Sequence, residues 1–569
     1  MADSVEKTGA VVTSQPYHTD SPTMSPSRRT WSEKVKHLRT RDAWLGEYDY
    51  ADLCMPRWNP WGWGRNRKKN DDVTDADGKV KGEVPFYGLE DDLPILVAAI
   101  CGFQHMLAML AGVVSVVGTS FATITTASAI FNALYNDGTC PLNPDGTRAA
   151  CPDAYGYLLG TSAVCSLLEM ALSFVPPRVL KRIFPPTVTG VVVLLIGVSL
   201  IGESGFKNWG GGAGNCSSRP ETGIFTVCPQ VGAPNAFQWG DARYIGLGFL
   251  SFVTIILVEI FGSPAMRNAS IVLGLLLPLI VAGPLGYISG SPIASAKSIT
   301  FLWTTTFKLR VYGPAVLPLL AVYVSLMMEA IGDITATSDV SKLSVVGPEY
   351  DRRIAGGVLA DGLNGCLAAL GTVAPLSVFA QNVACISLTR VANRKAGYFC
   401  CAFLVLLGVI GKIAGCVLAI PAPILGGVTT YLFAAVAVSG IAVLSKVKFT
   451  RRTRFVLAAS LGPGFGNLLL HDWFSYVFTY SGSNKALIGF LQSIEIIVQT
   501  PFLISGIVGI ITNSLLPLDH EDRQIRDAEE AEWKRREEEY YANTHHGRQL
   551  QANRDVEGEG EGDSIGKTE

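Results

Sequence analysis

The chain has 569 residues, of which 49% are hydrophobic and 17% charged, and its mean hydropathy is +0.31. Because soluble proteins carry about 25% charged residues, this composition excludes an ordinary soluble protein and indicates one that crosses a membrane several times. The 46 basic and 48 acidic residues nearly cancel. The net charge therefore favours no class of partner, and no nucleic acid partner is expected.

Both ends of the chain are polar. Residues 1 to about 92 and about 519 to 569 are rich in charge, Pro and Gly and contain no apolar run long enough for a core, so they are predicted to be tails. Because a long polar stretch precedes the first apolar run, no cleavable leader is expected, and the N-terminal tail should stay in the cytosol.

Between the tails lie apolar runs of about 20 residues, the length at which a helix crosses a membrane. Lys and Arg between the runs should remain cytosolic, and they cluster in 176–186, 342–353, 390–395 and 446–454, and at Arg267. The other loops are predicted to be external and the C-terminal tail cytosolic. The runs start near Pro94, Tyr155, Phe184, Tyr244, Ile271, Pro314, Ile354, Ala396, Ile424, Phe455 and Ala486.

The predicted external loops contain two close cysteine pairs: Cys140 with Cys151, and Cys216 with Cys228. The outer face is oxidising, so either pair could be a disulfide, and the sequence leaves both open. Of the two glycosylation sequons, the one at Asn215 is predicted to be external, and the one at Asn268 cytosolic and unmodified.

One stretch does not fit this alternation. The tail that ends near Asp92 should be cytosolic, and the loop that follows Asn132 should be external. The chain between these residues must therefore cross the membrane an odd number of times. It holds about 38 weakly polar residues, too many for one span of about 20 residues and too few for three. An irregular structure is therefore predicted there.

Two acidic residues, Glu329 and Asp333, lie in one apolar run and are four positions apart, which puts them on one face of a helix. An unpaired charge inside a membrane costs at least about 2.5 kcal/mol, so these carboxylates need a partner, a proton or a ligand. The alternative, mainly for Asp333, is a structural role at the cytosolic end of the helix.

Residues 371–390 read GTVAPLSVFAQNVACISLTR. Pro375 breaks a helix, and the residues up to Phe379 favour an extended segment, after which a half-helix can start near Gln381. Non-helical backbone inside a membrane is tolerated beside a cavity, so a ligand is predicted to bind here. The amides of Gln381 and Asn382 suit a flat heterocycle with alternating C=O and N–H groups. Alternatively, they only satisfy the broken helix.

A second polar stretch lies in the first apolar run. Gln104 and His105 precede residues 115–121, which could form a mirror-related broken helix. For His105 an architectural role is favoured over proton transfer, and Asp361 is expected to pair with His105 or to cap a helix. Glu169, near the cytosolic end of its run, is predicted to extend toward the membrane surface and is assigned no role in binding.

These stretches resemble the nucleobase-ascorbate transporter family, whose signature is Gln, Asn, any residue, Gly, four more residues, Thr and Arg. In this chain the signature reads Gln381, Asn382, Ala384, Thr389 and Arg390. Ala384 departs from the family's Gly and adds a methyl group where a helix packs closely. The chain is similar to fungal uric acid/xanthine permeases from about residue 46 to residue 517, including LADGLN at 359–364 and TRVANR at 389–394.

The resemblance implies an all-α polytopic membrane protein built from two inverted seven-span repeats, here with about 12 spans. A core domain would bind substrate, and a gate domain would contact the partner in a homodimer. The implied boundaries are 1–93 for the N-terminal tail, 94–175 and 301–419 for the core domain, 176–300 and 420–517 for the gate domain, and 518–569 for the C-terminal tail.

The function implied by the resemblance is symport of protons and purines of the uric acid and xanthine class across the plasma membrane. A proton gradient would drive it, without a cofactor or a metal. Glu329 and Gln381 would bind the purine through their side chains, and Ser120, Phe121 and Ala380 would add backbone contacts or stacking. Supporting and proton-coupling roles are implied for His105, Asp333, Asp361, Asn382, Thr389 and Arg390.

The first repeat is shorter than the second. In the second repeat 52 positions separate Glu329 from Gln381, whereas in the first only 16 separate Gln104 from Ser120. Inverted repeats should have similar spacing, so roughly 40 to 50 residues, about one and a half spans, are predicted to be absent after Val114. A skipped exon, a faulty exon assignment or a genuine short isoform would each explain this.

The alternatives to a purine symporter are a truncated, non-transporting membrane protein and an anion carrier of the same fold. An anion carrier should show a basic site between its half-helices, and the sequence shows none there. An enzyme is not expected, since no nucleophile constellation, nucleotide loop or metal cluster stands out.

Overall fold

The computed structural model describes a largely helical chain. The described residues are 40–45, 86–89, 91–116, 121–142, 149–176, 179–180, 184–211, 227–228, 237–288, 290–300, 307–345, 347–378, 382, 385–386, 389–445, 447–470, 474, 477 and 485–543.

Helices account for most of the described residues, and one antiparallel pair of short strands, β1 (Val227–Cys228) and β2 (Phe237–Gln238), lies between α6 and α7. A π-helical segment, Ile201–Phe206, joins α5 to α6. The helices are α1 (Arg41–Trp44), α2 (Ile95–Val116), α3 (Phe121–Asn136), α4 (Pro152–Leu172), α5 (Pro186–Leu200), α6 (Lys207–Trp209), α7 (Ala242–Phe261), α8 (Pro264–Asn268), α9 (Ser270–Ala282), α10 (Ser291–Ser295), α11 (Gly313–Val340), α12 (Pro348–Leu370), α13 (Arg394–Val409), α14 (Gly411–Leu418), α15 (Ala422–Ser445), α16 (Arg451–Leu469), α17 (Lys485–Gln499), α18 (Pro501–Leu515) and α19 (His520–Asn543).

The apolar runs predicted from the sequence correspond to helices, and each predicted start lies within six residues of an observed one. Several helices begin with Pro in their first turn, where the missing N–H leaves no hydrogen bond unmade. Among the described residues, five helices are long and apolar enough to cross a membrane, and up to seven crossings result if each bent pair is one span. The total of about 12 spans stays a prediction.

Two pairs of helices are sharply bent where they meet. The helices α13 and α14 meet at 78° beside Ile410, and the end of α17 meets α18 at 92° beside Pro501. Pro501 lacks an N–H and restricts the residue before it, which accounts for the second bend.

Two groups of helices pack closely, and the main hydrophobic core extends across both. In the first, α4 packs against α11 and α12, and α3 packs against α11. In the second, α5 packs against α15, α16 and α18, and α7 packs against α9 and α15. Close approach within a group depends on glycine: a side chain at Gly427 of α15 would collide with the backbone of Gly248 in α7.

The helices on either side of residues 117–120 belong to different hydrophobic cores. The buried part of α2, including Val97 and Cys101, packs against Val391 and Ala396 at the start of α13. By contrast, Ile130 and Leu134 of α3 lie in the main core with α4, α5 and α11. The two helices of the predicted first repeat therefore lie in separate cores.

Contacts at the two ends of the helices agree with the predicted alternation of loops. At one end a disulfide joins Cys140 to Cys151, and the Tyr312 hydroxyl donates to the Asp137 carboxylate over 2.8 Å. The second proposed pair cannot be assessed, because Cys216 lies outside the described residues.

At the other end, the tail helix α19 contacts both packing groups. The Thr450 hydroxyl before α16 donates to the Asp522 carboxylate over 2.7 Å, and the ring of Trp533 lies 6.4 Å from that of Tyr350 in α12. The ammonium group of Lys342 lies 4.5 Å from the ring centroid of Phe86. The chain before α2, the loop between α11 and α12, and the start of α19 therefore meet on one face, which is the predicted cytosolic face.

Candidate functional site

Glu329 lies on α11 at the boundary between the two packing groups. Its side chain lines a cavity of about 240 Å³ whose walls come from α5, α11 and α18. Ser325, one turn before Glu329, and Thr189 of α5 add hydroxyl groups to walls that are otherwise almost entirely apolar. Sites for drug-sized ligands are usually about 300–1,000 Å³, so this cavity suits a small molecule held by a few polar groups.

The charges that act on Glu329 come from other acids. Asp333, one turn later on α11, and Asp361 of α12 both act on it, and Asp361 also acts on Asp333. One oxygen of Asp333 has no hydrogen-bond partner among the described residues. Since no described cation balances this group, its carboxyls need protons or a ligand that donates hydrogen bonds.

Asp361 does not form either of the arrangements expected for it. It lies in the interior of α12, beside the carboxyl group of Glu169 in α4 and beside Ser377 and Val378. His105 instead lies beside the side chain of Asn382. Asp361 thus connects α4 and α12 to the segment that precedes the signature.

The prediction that Glu169 extends toward the membrane surface is wrong. Its side chain is 1% exposed and lies between α4 and α12. Gly362 of α12 allows this approach, because a β-carbon there would lie 3.2 Å from that of Glu169. A signal for burial exists in the sequence: Ser162, Ser166 and Glu169 are four and three positions apart, so all three occupy one helix face.

The described part of the segment before the signature is not helical, as predicted, while Phe379 lies outside the described residues. The helix α12 ends at Leu370, Thr372 has a φ of 65°, and residues 374–378 are non-helical. Pro375 accounts for the lack of helix. Beyond it, Ser120, Ala380, Gln381 and Ala384 lie outside the described residues, and Phe121 is the first residue of α3.

The structure describes the surroundings of three further residues to which the sequence assigns supporting roles. His105 is buried beside the Asn382 side chain, and its architectural role stays a prediction. The Thr389 hydroxyl donates to the carbonyl of Cys385 over 2.8 Å. Arg390 has a φ of 58°, and its carbonyl accepts from the N–H of Tyr87 over 3.0 Å. The end of the signature is thus attached to the chain that leads into α2.

Comparison with known proteins gives a consistent family. The family model Xan_ur_permease, described as a permease family, matches residues 93–472. A purine permease of Emericella nidulans is 45% identical, covering 89% of this chain and 94% of its own. The uric acid-xanthine permease of the same organism is 42% identical, covering 86% and 90%. Xanthine permease XanQ of Escherichia coli is 31% identical, covering 71% and 78%.

The alignments with the fungal relatives contain positions that this chain lacks. The alignment with the Emericella nidulans purine permease extends over 564 positions but uses 89% of the 569 residues, about 506, so about 58 positions are gaps in this chain. The uric acid-xanthine permease gives 541 positions and 86%, and so about 52 gaps.

A solved structure, the transmembrane domain of a cyanobacterium bicarbonate transporter BicA, overlaps 76% of this chain and 100% of its own. The TM-score is 0.38 and the identity 13%, which is too weak a likeness to support an argument.

Proposed function

Because this chain belongs to the xanthine and uric acid permease family, we propose that it carries purines of that class across the plasma membrane together with protons. The observation that carries the proposal is the position of Glu329, a carboxyl group on the wall of a small apolar cavity between the two packing groups. A site at such a boundary can be exposed to either side of the membrane by movement of one group against the other.

Hydrogen bonding explains how this site would select a purine. Glu329 accepts hydrogen bonds from ring N–H groups, and the side-chain amide of Gln381 both donates and accepts along the purine edge. Pairing these groups with the ligand avoids leaving buried polar atoms unmatched, each of which costs about 1–3 kcal/mol. Analogues that lack a matching group should therefore bind poorly.

Proton coupling follows from the acidic neighbours of Glu329. Among the described residues, the charges that act on Glu329 and Asp333 belong to acids. A carboxyl group in such surroundings becomes electrically neutral by holding a proton, so its proton and the substrate would cross the membrane together. No cofactor or metal takes part in this scheme.

The packing groups support a division into core and gate domains. The group of α3, α4, α11 and α12 holds Glu329, Asp333, Asp361 and Glu169, and would be the core. The group of α5, α7, α9, α15, α16 and α18 would be the gate, through which a homodimer would form. The two tails would both lie in the cytosol.

The test is uptake of radiolabelled xanthine and uric acid by cells that express an extended version of the chain. In this version the corresponding segment of the Emericella nidulans purine permease is inserted after Val114. Glu329→Ala and Gln381→Ala should each abolish uptake while the protein still reaches the plasma membrane, because each removes hydrogen bonds in a dry site. A suitable control is Glu521→Gln, an exposed position in α19. Ordinary uptake by either alanine variant would remove that residue from the site.

A truncated, non-transporting protein is the second candidate. It is favoured by the 52 to 58 aligned positions that this chain lacks and by the separate cores of α2 and α3. The two candidates differ in one measurement, the uptake of xanthine by the chain with and without a segment inserted after Val114.

A further inference from the structure

Two carboxyl groups that meet inside the first packing group have no role in the proposed binding of purine. Glu169 of α4 and Asp361 of α12 are 1% and 6% exposed, and each has a buried carboxyl oxygen with no hydrogen-bond partner among the described residues. The two side chains lie beside each other. Carboxylate oxygens only accept hydrogen bonds. The two groups can therefore bond to each other only if one of them carries a proton.

The surroundings of the pair contain no compensating cation among the described residues. Tyr323 of α11 lies beside Glu169 and donates to or accepts from Ser162 over 2.9 Å. Asp361 acts on Glu329 and Asp333, so the groups on the α11 side are acids as well. In the described part of the segment that precedes the signature, Ser377 and Val378 lie beside Asp361, and neither carries a positive charge.

Two ionised carboxylates in contact repel each other, and burial removes the water that would screen them, so such a pair retains one proton. We infer that Glu169 and Asp361 share a single proton, and that Glu169 is a positioning residue that acts through Asp361 on the substrate site. This role rests on the proposed function, whereas the shared proton does not.

Asp361 connects the protonation of the Glu169–Asp361 pair to the backbone that precedes Gln381. When Glu169 donates its proton to Asp361, the Asp361 carboxylate keeps its interaction with the backbone N–H of Val378, three positions before Gln381. When the shared proton leaves, the two carboxylates separate, and the segment 374–378 loses its anchor. Proton occupancy of the pair thus sets the position of the backbone that leads to Gln381.

Infrared spectroscopy of the purified full chain tests the proton directly. Protonated carboxyl groups have a C=O stretching band that carboxylates lack. Glu169→Gln should remove one such band near neutral pH, whereas the exposed control Glu521→Gln should leave the spectrum unchanged. An unchanged band in Glu169→Gln would overturn the inference.

Cysteine labelling tests the positioning role. Val378→Cys, in a chain whose exposed Cys401 and Cys416 are replaced by Ser, reports how firmly the segment is held. Adding Glu169→Ala should raise its rate of maleimide labelling severalfold, and Glu169→Gln should restore the parent rate because its amide can donate to Asp361. Equal rates in all three versions, or a Gln variant as reactive as the Ala variant, would contradict the role.

Transport adds a readout that a merely structural role would not change. In the chain with the restored segment, Glu169→Ala should lose uptake, and Glu169→Gln should keep it with a flatter dependence on pH, since its amide cannot release a proton. An unchanged pH profile for Glu169→Gln would count against the positioning role. If no version carries purine, the proposed function fails. The infrared spectra then still show whether Glu169 and Asp361 share a proton, and the labelling rates still show whether Glu169 holds the segment 374–378 in place.

Discussion

Glu169, Glu329, Asp333 and Asp361 lie on three neighbouring helices, and each is affected electrostatically by at least one of the others. Moving a carboxylate out of water costs several kcal/mol. A fold that keeps four of them together must offset that cost with protons or with hydrogen bonds from a ligand. This requirement links the stability of the first packing group to the chemistry of transport.

The disulfide between Cys140 and Cys151 gives a prediction at the scale of residues. It closes a loop of 11 residues between α3 and α4, and a crosslink of this length restricts the unfolded chain by about 2–3 kcal/mol. Cys151→Ser should therefore lower the thermal unfolding temperature in detergent. Cys401→Ser, at an exposed free cysteine, is the matched control, and equal unfolding temperatures for the two variants would contradict the prediction.

The glycosylation sites give a second prediction at this scale. Asn268 is half-buried, and its amide nitrogen donates to the Gln104 side chain over 3.0 Å, so it is unavailable for modification. Asn215 is expected to be glycosylated because positive-inside counting places its loop outside. Glycosidase treatment should shift the parent band but not that of Asn215→Gln. A shift that survives Asn215→Gln and disappears with Asn268→Gln would invert the topology.

Helix packing in the second group depends on glycine at close crossings. A β-carbon at Gly427 of α15 would fall inside the van der Waals distance of the Gly248 carbonyl in α7. The atoms that the β-carbon would meet all belong to the Gly248 backbone, so they cannot rotate away as a side chain could. The two helices must therefore separate.

Gly427→Ala should therefore destabilise the protein by about 1–3 kcal/mol, the usual range for overpacking. Gly462→Ala in α16, where nothing lies within 4 Å of the added carbon, should be neutral or stabilise by roughly 0.5–1 kcal/mol. Thermal unfolding of both variants in detergent checks this. Similar destabilisation by the two would mean that the α7 and α15 crossing is not tight.

At the scale of the whole molecule, the two stretches predicted to be inverted repeats differ in length. From α11 the chain continues through α12 to the non-helical residues 374–378. In the stretch predicted to correspond, the structure describes only α2 and α3, and these two helices lie in separate cores. We predict that a helix packed between them is absent from this chain.

We therefore expect the chain as written to transport weakly or not at all. Ser120 and Phe121 would lose the helix that fixes their height against Gln381, and a displacement of about 1 Å in such a site can cost a hundredfold in rate. Inserting the corresponding segment of the Emericella nidulans purine permease after Val114 should restore proton-dependent xanthine uptake.

A Gly/Ser linker of the same length is the control for that experiment, because it adds chain without a helix. It should leave uptake as low as in the chain as written. If the short chain transports as fast as the chain with the inserted helix, residues 95–131 form a complete and unusually compact half-site, and the interpretation of the gap is wrong.

Local patterns in the sequence determined the elements of this protein. Apolar runs predicted where helices start, and Pro375 predicted the non-helical segment. The spacing between motifs predicted a gap after Val114. Such patterns can be read from the sequence alone. The tertiary structure decided which side chains from different helices contact each other. It paired Asp361 with Glu169 rather than with His105, and it opened the cavity beside Glu329. These depend on how separate helices approach each other at small residues such as Gly362, a geometry that no local pattern encodes.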